Sequence, residues 1–285
     1  MAAARLLVVT AHPDDEVLHF GGLIHLTAHA GGHVTLVCAT RGEVGEIADP
    51  TLATPETLGA VREAELHASA ALLRVADVRL LDYRDSGMAD TADNHAPRAF
   101  VRAPADEVVA TLVRVIREVR PAIVATWAPD GGYGHPDHVA ASRHATAAVD
   151  LAAQPHAAEL GAPWAAEALY YAARPAALRE EVRAFMAARG QASAPAARPA
   201  RPAPEPLPVS VALDVGAALA VKKAARAAHR TQTRPDSWVA ALPPDLERRF
   251  TGTEYFHRAR PTWQAGQPDD LLERLLGLPV RAPTA

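Results

Sequence analysis

Short apolar runs of strand-forming residues alternate with longer helical segments along much of the chain, and this alternation predicts an α/β fold. The runs are apolar on consecutive residues rather than on every second one, which is typical of strands buried on both faces of a parallel sheet. Two clusters of acids and histidines, AHPDDE (11–16) and GHPDH (134–138), follow two of these runs. In a mostly parallel sheet covered by helices on both faces, such clusters lie at the edge where ligands bind.

Five strands and four helices are predicted before residue 174. The run RLLVVT leads directly into the first cluster, and HVTLVCAT follows a Gly-Gly pair that ends the preceding helix. Each helical connection makes the next strand parallel, so the expected architecture is Rossmann-like, with the active site at the carboxyl ends of the strands. The predicted strands are 5–10, 33–40, 77–83, 122–129 and 167–173, and the predicted helices are 21–30, 55–74, 104–120 and 136 to about 153.

The C-terminal third changes in composition. Residues 190–208 are rich in proline and alanine, which excludes a regular helix or a central strand and predicts a linker or an extended loop. A strand at 209–215 and an amphipathic helix at 217–230 follow, and no element is predicted beyond Thr251. The predicted organisation is therefore a core over 1–189, the linker, and a C-terminal part over 209–285 that completes the same domain.

Composition narrows the class of protein. The 285 residues carry a formal net charge of −4, so nucleic acid is not an expected partner. The single cysteine, Cys38, cannot form an intramolecular disulfide and is expected to be a small buried residue. Neither a signal peptide nor an apolar stretch long enough to span a membrane is present in the sequence. We therefore expect a cytoplasmic protein that does not bind membranes, and self-association is left open.

The two clusters together predict a metal site. Adjacent carboxylates repel each other and become tolerable when a bound cation neutralises them. His12 and Asp15 lie three positions apart in the first cluster, and His138 ends the second. Two imidazoles and one carboxylate are a ligand set of catalytic zinc sites, which keep one position open for water. We expect one Zn²⁺ per chain, bound by His12, Asp15 and His138.

The remaining residues of the clusters suit the chemistry of hydrolysis. Asp14 is not needed as a ligand and can act as general base. His135 can donate a hydrogen bond or a proton to the developing oxyanion and the leaving amine. Asp137 can hold the His135 imidazole and raise its pKa. The alternatives are turns without a metal, a sugar-binding module without catalysis, and a phosphoesterase, which usually needs two metal ions.

The two clusters resemble the signature motifs of the PIG-L (LmbE-like) family of zinc-dependent N-deacetylases. The resemblance implies the same ligands, with Asp14 as base and His135 as oxyanion and proton partner. TRGEVGEI, LGAVREAEL, YRDSGMA and PDGGYGHPDH are similar to segments of mycothiol-pathway deacetylases, which act on N-acetylglucosaminyl-inositol. By this resemblance Arg62 and Asp85 contact sugar hydroxyls and Tyr133 polarises the amide carbonyl. AHRTQT, with His229 and Gln232, resembles a late element of the family.

The resemblance leaves the substrate's aglycone open. The expected substrate is a small N-acetylated sugar, the inositol conjugate or a related one. Related deacetylases act on N-acetylglucosaminyl-malate or chitin fragments, and related amidases cleave thiol conjugates. The proline-rich segment and the divergent C-terminal part lie where the aglycone is expected to be recognised.

Overall fold

Helices and parallel strands alternate through the first two thirds of the chain, and the described part of the remainder combines helices with antiparallel strands. A computed structural model describes residues 4–190, 207–234, 237–278 and 280–281. The strands are β1 (Arg5–Thr10), β2 (His33–Thr40), β3 (Asp77–Tyr83), β4 (Ile123–Thr126), β5 (Ala168–Ala173), β6 (Val211–Asp214), β7 (Thr253–Arg260) and β8 (Val280–Arg281). The helices are α1 (Asp15–His29), α2 (Leu58–Leu73), α3 (Ala105–Val119), α4 (Gly131–Gly134), α5 (Pro136–Ala152), α6 (Ala176–Ala188), α7 (Leu219–Ala228), α8 (Pro244–Phe250) and α9 (Leu271–Leu276).

The described strands form one eight-stranded sheet in the order β3-β2-β1-β4-β5-β7-β6-β8. The five strands from β3 to β5 are parallel, which we call the parallel part of the sheet. Strand β7 is antiparallel to both β5 and β6, and β8 is antiparallel to β6, which we call the antiparallel part. The α/β fold with a mostly parallel sheet is confirmed.

Several element boundaries differ from the predictions. The strands predicted at 5–10, 33–40 and 77–83 have those bounds, whereas the fourth strand covers only 123–126. Helix α1 begins six residues earlier than predicted, at Asp15, because the acidic cluster forms its first turn instead of a preceding loop. Acidic residues at a helix N-terminus interact favourably with the helix dipole. The region beyond Thr251, where no element is predicted, holds β7, α9 and β8. Most of the proline-rich segment, 191–206, lies outside the described residues.

Two apolar clusters cover the two faces of the sheet. Leu6 and Val8 of β1 point into the first cluster, with Phe20 of α1 and Cys38 of β2. Leu7 and Val9 point into the second cluster, which contains apolar residues of α3 and α5. Successive side chains of a strand point to opposite faces, so an apolar run such as β1 fills both clusters at once.

The antiparallel part is attached to α1 by a buried glutamate. Glu254 of β7 accepts hydrogen bonds from the backbone N–H groups of Gly22 (2.7 Å) and Leu23 (2.8 Å), in the middle of α1. Lys222 of α7 donates to the same carboxylate at 2.6 Å. A Cβ atom on Gly22 would lie 2.2 Å from the side chain of Val215, so only glycine permits this approach. The C-terminal region therefore stabilises the helix whose first turn carries Asp15.

Within the described ranges, no helix is long and apolar enough to cross a membrane.

Candidate active site

Two neighbouring strands bring the predicted metal ligands together. His12 follows β1 and Asp15 is the first residue of α1, whereas His138 lies in the first turn of α5, beyond β4. Strands β1 and β4 pair in parallel, so the chain leaves both at the same edge of the sheet. His12, Asp15 and His138 are all at most 7% exposed. The site lies at the carboxyl ends of the parallel strands, where ligands bind in such folds.

The three side chains could hold a metal ion. The distance from His12 Nδ1 to His138 Nε2 is 3.2 Å, and the distance from His138 Nε2 to Asp15 Oδ1 is 3.3 Å. His12 Nδ1 lies 3.7 Å from Asp15 Oδ2. Ligands about 2.0–2.2 Å from a tetrahedral zinc ion are roughly 3.3–3.6 Å apart, so these separations fit such an ion. His135 also offers a nitrogen within 4.8 Å of those of His12 and His138.

Hydrogen bonds on the outer side of each imidazole direct its lone pair toward the metal position. His138 Nδ1 donates to the carbonyl of Gly131 at 3.0 Å, which leaves Nε2 free as a ligand. His12 Nε2 lies 3.2 Å from Asp137 Oδ2 and 3.4 Å from Asp85 Oδ1, which leaves Nδ1 free. Carboxylates and carbonyls that bind the outer nitrogen of a ligand histidine fix its orientation and raise its basicity.

The charges of the cluster shift the pKa values of its members strongly. Burial by itself lowers the pKa of His12, but the carboxylates of Asp137 and Asp85 outweigh it and raise that pKa well above the usual value. Burial by itself raises the pKa of Asp15, but His138 and His12 outweigh it and lower the net value. Asp15 Oδ2 also accepts hydrogen bonds from the backbone N–H groups of Ala11 and His12. The carboxylate is therefore oriented and ionised, as a metal ligand must be.

Asp14, the predicted base, adopts a left-handed backbone conformation with φ 99°. This region is unfavourable for residues other than glycine and persists where surrounding contacts enforce it. Asp14 N–H donates to Glu16 Oε2 at 2.9 Å, and Arg62 donates to the Pro13 carbonyl at 2.6 Å and to Asp14 Oδ2 at 3.3 Å. The Asp14 side chain is 38% exposed, so it remains accessible to a substrate. Partial removal from water raises the pKa of Asp14; Arg62 opposes this rise, and Asp15 and Glu16 add to it.

Glu16 and His229 form a buried contact behind Asp14 that the sequence analysis did not predict. Glu16 Oε1 accepts hydrogen bonds from His229 Nε2 at 2.7 Å and from Ser69 Oγ at 2.6 Å. Glu16 and His229 are both 0% exposed. The third acid of AHPDDE therefore supports the backbone of the first acid, Asp14. The signals in the sequence were that unused acid and the late AHRTQT stretch.

His135 caps the N-terminus of α5, where its Nδ1 accepts a hydrogen bond from Asp137 N–H at 3.2 Å. The expectation that the Asp137 carboxylate holds the His135 imidazole is wrong; its charge raises the pKa of His135, as expected, but this contribution is outweighed. The Asp137 carboxylate instead contacts His12 Nε2 and accepts a hydrogen bond from Ser86 N–H. Burial, with the charges of His12 and His138, lowers the pKa of His135 to about 4. His135 is therefore neutral near pH 7 and carries its proton on Nε2.

Two predicted sugar-binding residues have buried contacts within the protein. Arg62 is 4% exposed, and its Nη1 donates to the carbonyl of Gly42 at 2.8 Å. Gly42 has φ +66°, and a Cβ atom there would lie 2.3 Å from Arg62, so this position requires glycine. Asp85, also 4% exposed, accepts hydrogen bonds from the N–H groups of Gly87 and Val44. Their contact with sugar hydroxyls stays a prediction.

Aromatic residues flank the metal position. Tyr133 is 57% exposed, and its ring centroid lies 5.0 Å from that of His138. The ring of Trp127, which the sequence analysis did not single out, stacks on His138 with centroids 4.0 Å apart and planes 14° apart. Trp127 follows β4 and is 2% exposed. It therefore restricts the rotation of a ligand imidazole.

Comparison with known proteins places this architecture in a family. The family model described as "PIG-L: GlcNAc-PI de-N-acetylase" matches residues 7–149, which include both clusters. The chain belongs to the PIG-L family. Two relatives, from Streptomyces avermitilis and Geodermatophilus obscurus, are both named 1D-myo-inositol 2-acetamido-2-deoxy-alpha-D-glucopyranoside deacetylase. The first is 40% identical to this chain, and the alignment covers 94% of this chain and 96% of the relative. The second is also 40% identical, and the alignment covers 96% of this chain and 98% of the relative.

Two solved structures share the fold of this chain. The conserved protein TT1542 from Thermus thermophilus superposes with a TM-score of 0.58 at 25% identity, over 93% of this chain and 98% of that one. The N,N'-diacetylchitobiose deacetylase from Pyrococcus horikoshii superposes with a TM-score of 0.62 at 22% identity, over 90% of this chain and 84% of that one. The second likeness concerns the fold alone.

Proposed function

We propose that this PIG-L protein is a zinc-dependent N-deacetylase that hydrolyses the acetamide of a small N-acetylglucosaminide. The observation that carries the proposal is the convergence of His12, Asp15 and His138 donor atoms within 3.2–3.7 Å, with Asp14 and His135 beside them. The names of the 40% identical relatives make N-acetylglucosaminyl-inositol the first substrate to test. We expect a cytoplasmic enzyme that acts on a small molecule, without nucleic acid or membrane.

The proposed reaction uses a base and a proton donor of the chain itself. His12, Asp15 and His138 would hold one Zn²⁺, which when bound acidifies water and polarises the amide carbonyl. Asp14 takes a proton as the water oxygen adds to the amide carbon. His135, neutral with its proton on Nε2, donates a hydrogen bond to the oxyanion, and the proton that Asp14 took from the water passes to the leaving nitrogen. The C–N bond then breaks, which yields acetate and the free amine.

Other residues of the site position these groups. Tyr133 is exposed beside His138 and would polarise the amide carbonyl through a hydrogen bond from its hydroxyl group. Arg62 contacts both the Pro13 carbonyl and the Asp14 carboxylate, so it would orient the base as well as bind sugar hydroxyls. Asp137 and Asp85 contact His12 and would act as positioning residues through it.

The test is acetate release from a panel of N-acetylglucosaminides by the purified protein, with metal content measured in the same samples. We expect turnover of N-acetylglucosaminyl-inositol, about one zinc per chain, loss of activity with a chelator and recovery with added Zn²⁺. Activity that a chelator leaves intact would overturn the proposal. A thiol conjugate is assayed beside the panel, and cleavage of this conjugate without acetate release from the panel would identify an amidase.

A further inference from the structure

A cavity of about 250 Å³ adjoins the candidate active site on the side of α6. Trp127 and Tyr133 line it on the metal side, and Phe250 lines it on the other. Its charged lining residues in the described chain are three arginines and one aspartate, a formal balance of +2: Arg174, Arg179, Arg183 and Asp130. The residues around the metal position, by contrast, are dominated by carboxylates.

Among the described residues, Arg174 is the cation of this cavity for which no ion pair is found. Its guanidinium lies 3.7 Å from the ring centroid of Phe250, and within the described ranges no carboxylate forms an ion pair with it. A guanidinium that stacks on an aromatic face keeps its in-plane N–H donors available for a planar anion. Burial lowers the pKa of Arg174 to about 9, as expected for a cation whose lost hydration is not replaced.

The charged residues around Arg174 have other partners. Glu254 attracts the Arg174 guanidinium, but its carboxylate pairs with Lys222 at 2.6 Å and accepts two backbone hydrogen bonds from α1. Asp130 Oδ2 lies 3.9 Å from Arg179, and Asp130 Oδ1 already accepts the Gly132 N–H at the start of α4. Arg183 pairs with Glu180 on the exposed surface of α6. Burial and the charge of Arg174 hold the pKa of His19 well below its usual value, so that imidazole is neutral.

We propose that this cavity binds a small oxyanion, a carboxylate or a phosphate, through the guanidinium of Arg174 with support from Arg179. The apolar lining suits a group with a short carbon skeleton, and Trp127 connects the cavity to the metal position through its stacking on His138. Two sources fit this chemistry: an acidic aglycone of the substrate, or the acetate that deacetylation releases. The choice between the sources rests on the proposed function, whereas the binding of an anion does not.

Binding is tested by calorimetric titration of the zinc-loaded protein with sodium acetate and with inorganic phosphate. We expect at least one of them to bind, with a dissociation constant that rises roughly 10- to 100-fold in Arg174→Gln, the usual contribution of a charge-assisted hydrogen bond. Arg179→Gln should weaken binding less. This second variant also guards against a folding defect in Arg174→Gln, because Arg179 is 29% exposed and is not stacked on Phe250.

Arg114→Gln is the matched control, since it removes the same charge from an exposed position of α3 outside the cavity. It should bind the anions as the wild type does. Equal affinity in the wild type, Arg174→Gln and Arg179→Gln, or no binding of either anion to the wild type, would overturn the proposal.

The source of the anion is identified by kinetics. If an acidic aglycone occupies the cavity, Arg174→Gln should lower kcat/KM for N-acetylglucosaminyl-malate roughly tenfold more than for the neutral inositol conjugate. If acetate occupies it, both substrates should be affected alike and the acetate inhibition constant should rise in the variant. If neither substrate is deacetylated, the proposed function fails, and the titrations alone still support or overturn the anion site.

Discussion

The parallel and antiparallel parts of the sheet contribute to the site in different ways. All the proposed ligands and proton-transfer groups lie between His12 and His138, on loops and helix ends next to parallel strands. From the C-terminal region, His229 reaches Glu16 from behind, and Glu254 holds the middle of α1. The first region supplies reacting groups, and the second keeps α1 and its strained N-terminus in place. Substitutions in the first region should therefore change the reacting groups themselves, whereas substitutions in the second should act through the position of α1.

The largest effect should come from His138. Its replacement in His138→Ala removes one of the three convergent donors, and we expect loss of both bound zinc and measurable deacetylation. Zinc content by elemental analysis and acetate release are the two measurements. His67→Ala, an exposed histidine on α2, is the control and should keep both. A His138→Ala protein with its full complement of zinc would contradict the assigned ligand set.

The adjacent aspartates should separate base from ligand. Asp14→Asn keeps the side-chain volume but cannot accept a proton, so zinc should stay while kcat falls roughly 10²- to 10⁴-fold. Asp15→Asn removes an anionic ligand and should lower zinc affinity as well as rate. Asp106→Asn, exposed on α3, should change neither quantity. If Asp14→Asn loses zinc and Asp15→Asn keeps it, the two roles are reversed.

Arg62 should show how strongly the base depends on its neighbour. Lysine presents one ammonium group and cannot donate to Gly42, Pro13 and Asp14 together, as the guanidinium does. We expect Arg62→Lys to lower kcat/KM by roughly 10- to 100-fold with zinc retained. Arg114→Lys on α3 is the control. Kinetics equal to those of the wild type would leave Arg62 without a role in orienting Asp14 or binding substrate.

The convergence of His12, Asp15 and His138, the proposed metal ligands, was predictable because these residues lie in two short stretches that follow predicted strands. His12 and Asp15 are three positions apart, and the strand before them reads as an uninterrupted apolar run, so the place and the chemistry of the loop can be inferred together. The same reasoning predicted the bounds of β1, β2 and β3, since strands buried on both faces need apolar residues throughout.

The supporting contacts could not be predicted in this way because they join distant residues. Glu16 and His229 are 213 positions apart, and nothing local to either indicates the other. Strand β7 escaped prediction because its Glu254 is buried only through partners on α1 and α7, so the run reads as polar. The sequence analysis paired Asp137 with His135, two positions before it, whereas the fold places its carboxylate against His12.

The contact between the two regions should be measurable at Glu16. Its two carboxylate oxygens accept three hydrogen bonds, from Asp14 N–H, His229 and Ser69, and the amide of Glu16→Gln would have to face at least one of these groups with its own N–H. We expect kcat to fall about tenfold with zinc retained, and the free energy of unfolding to fall by about 1–3 kcal/mol. Glu107→Gln on α3 is an exposed control. A loss of stability with unchanged kcat would show that Glu16 does not position the base.

The smallest effects should appear in the pH dependence of stability. The contributions of two buried histidines, His229 and His144, to the free energy of unfolding should change with pH in opposite directions. Burial by itself lowers the pKa of His229, but the charge and the hydrogen bond of Glu16 outweigh it and raise the net value. The folded state therefore binds this proton more tightly than the unfolded state. The stabilisation is fully present below about pH 6.5 and is lost as the pH rises through the folded pKa.

His144 of α5, in the parallel part, should behave in the opposite way. Burial, with the charge of Arg143, lowers its pKa to about 4, so its contribution to stability is present above about pH 6.5 and is lost as the pH falls toward 4.

Urea unfolding of the metal-free proteins between pH 4 and pH 9 measures the contributions of both histidines to stability. The difference in stability between the wild type and His229→Gln should be largest below pH 6.5 and should become smaller at higher pH. His144→Gln should reduce the loss of stability between pH 6.5 and pH 4. Parallel stability curves for the wild type and both variants would contradict the two titrations and, with them, the charged contact between His229 and Glu16.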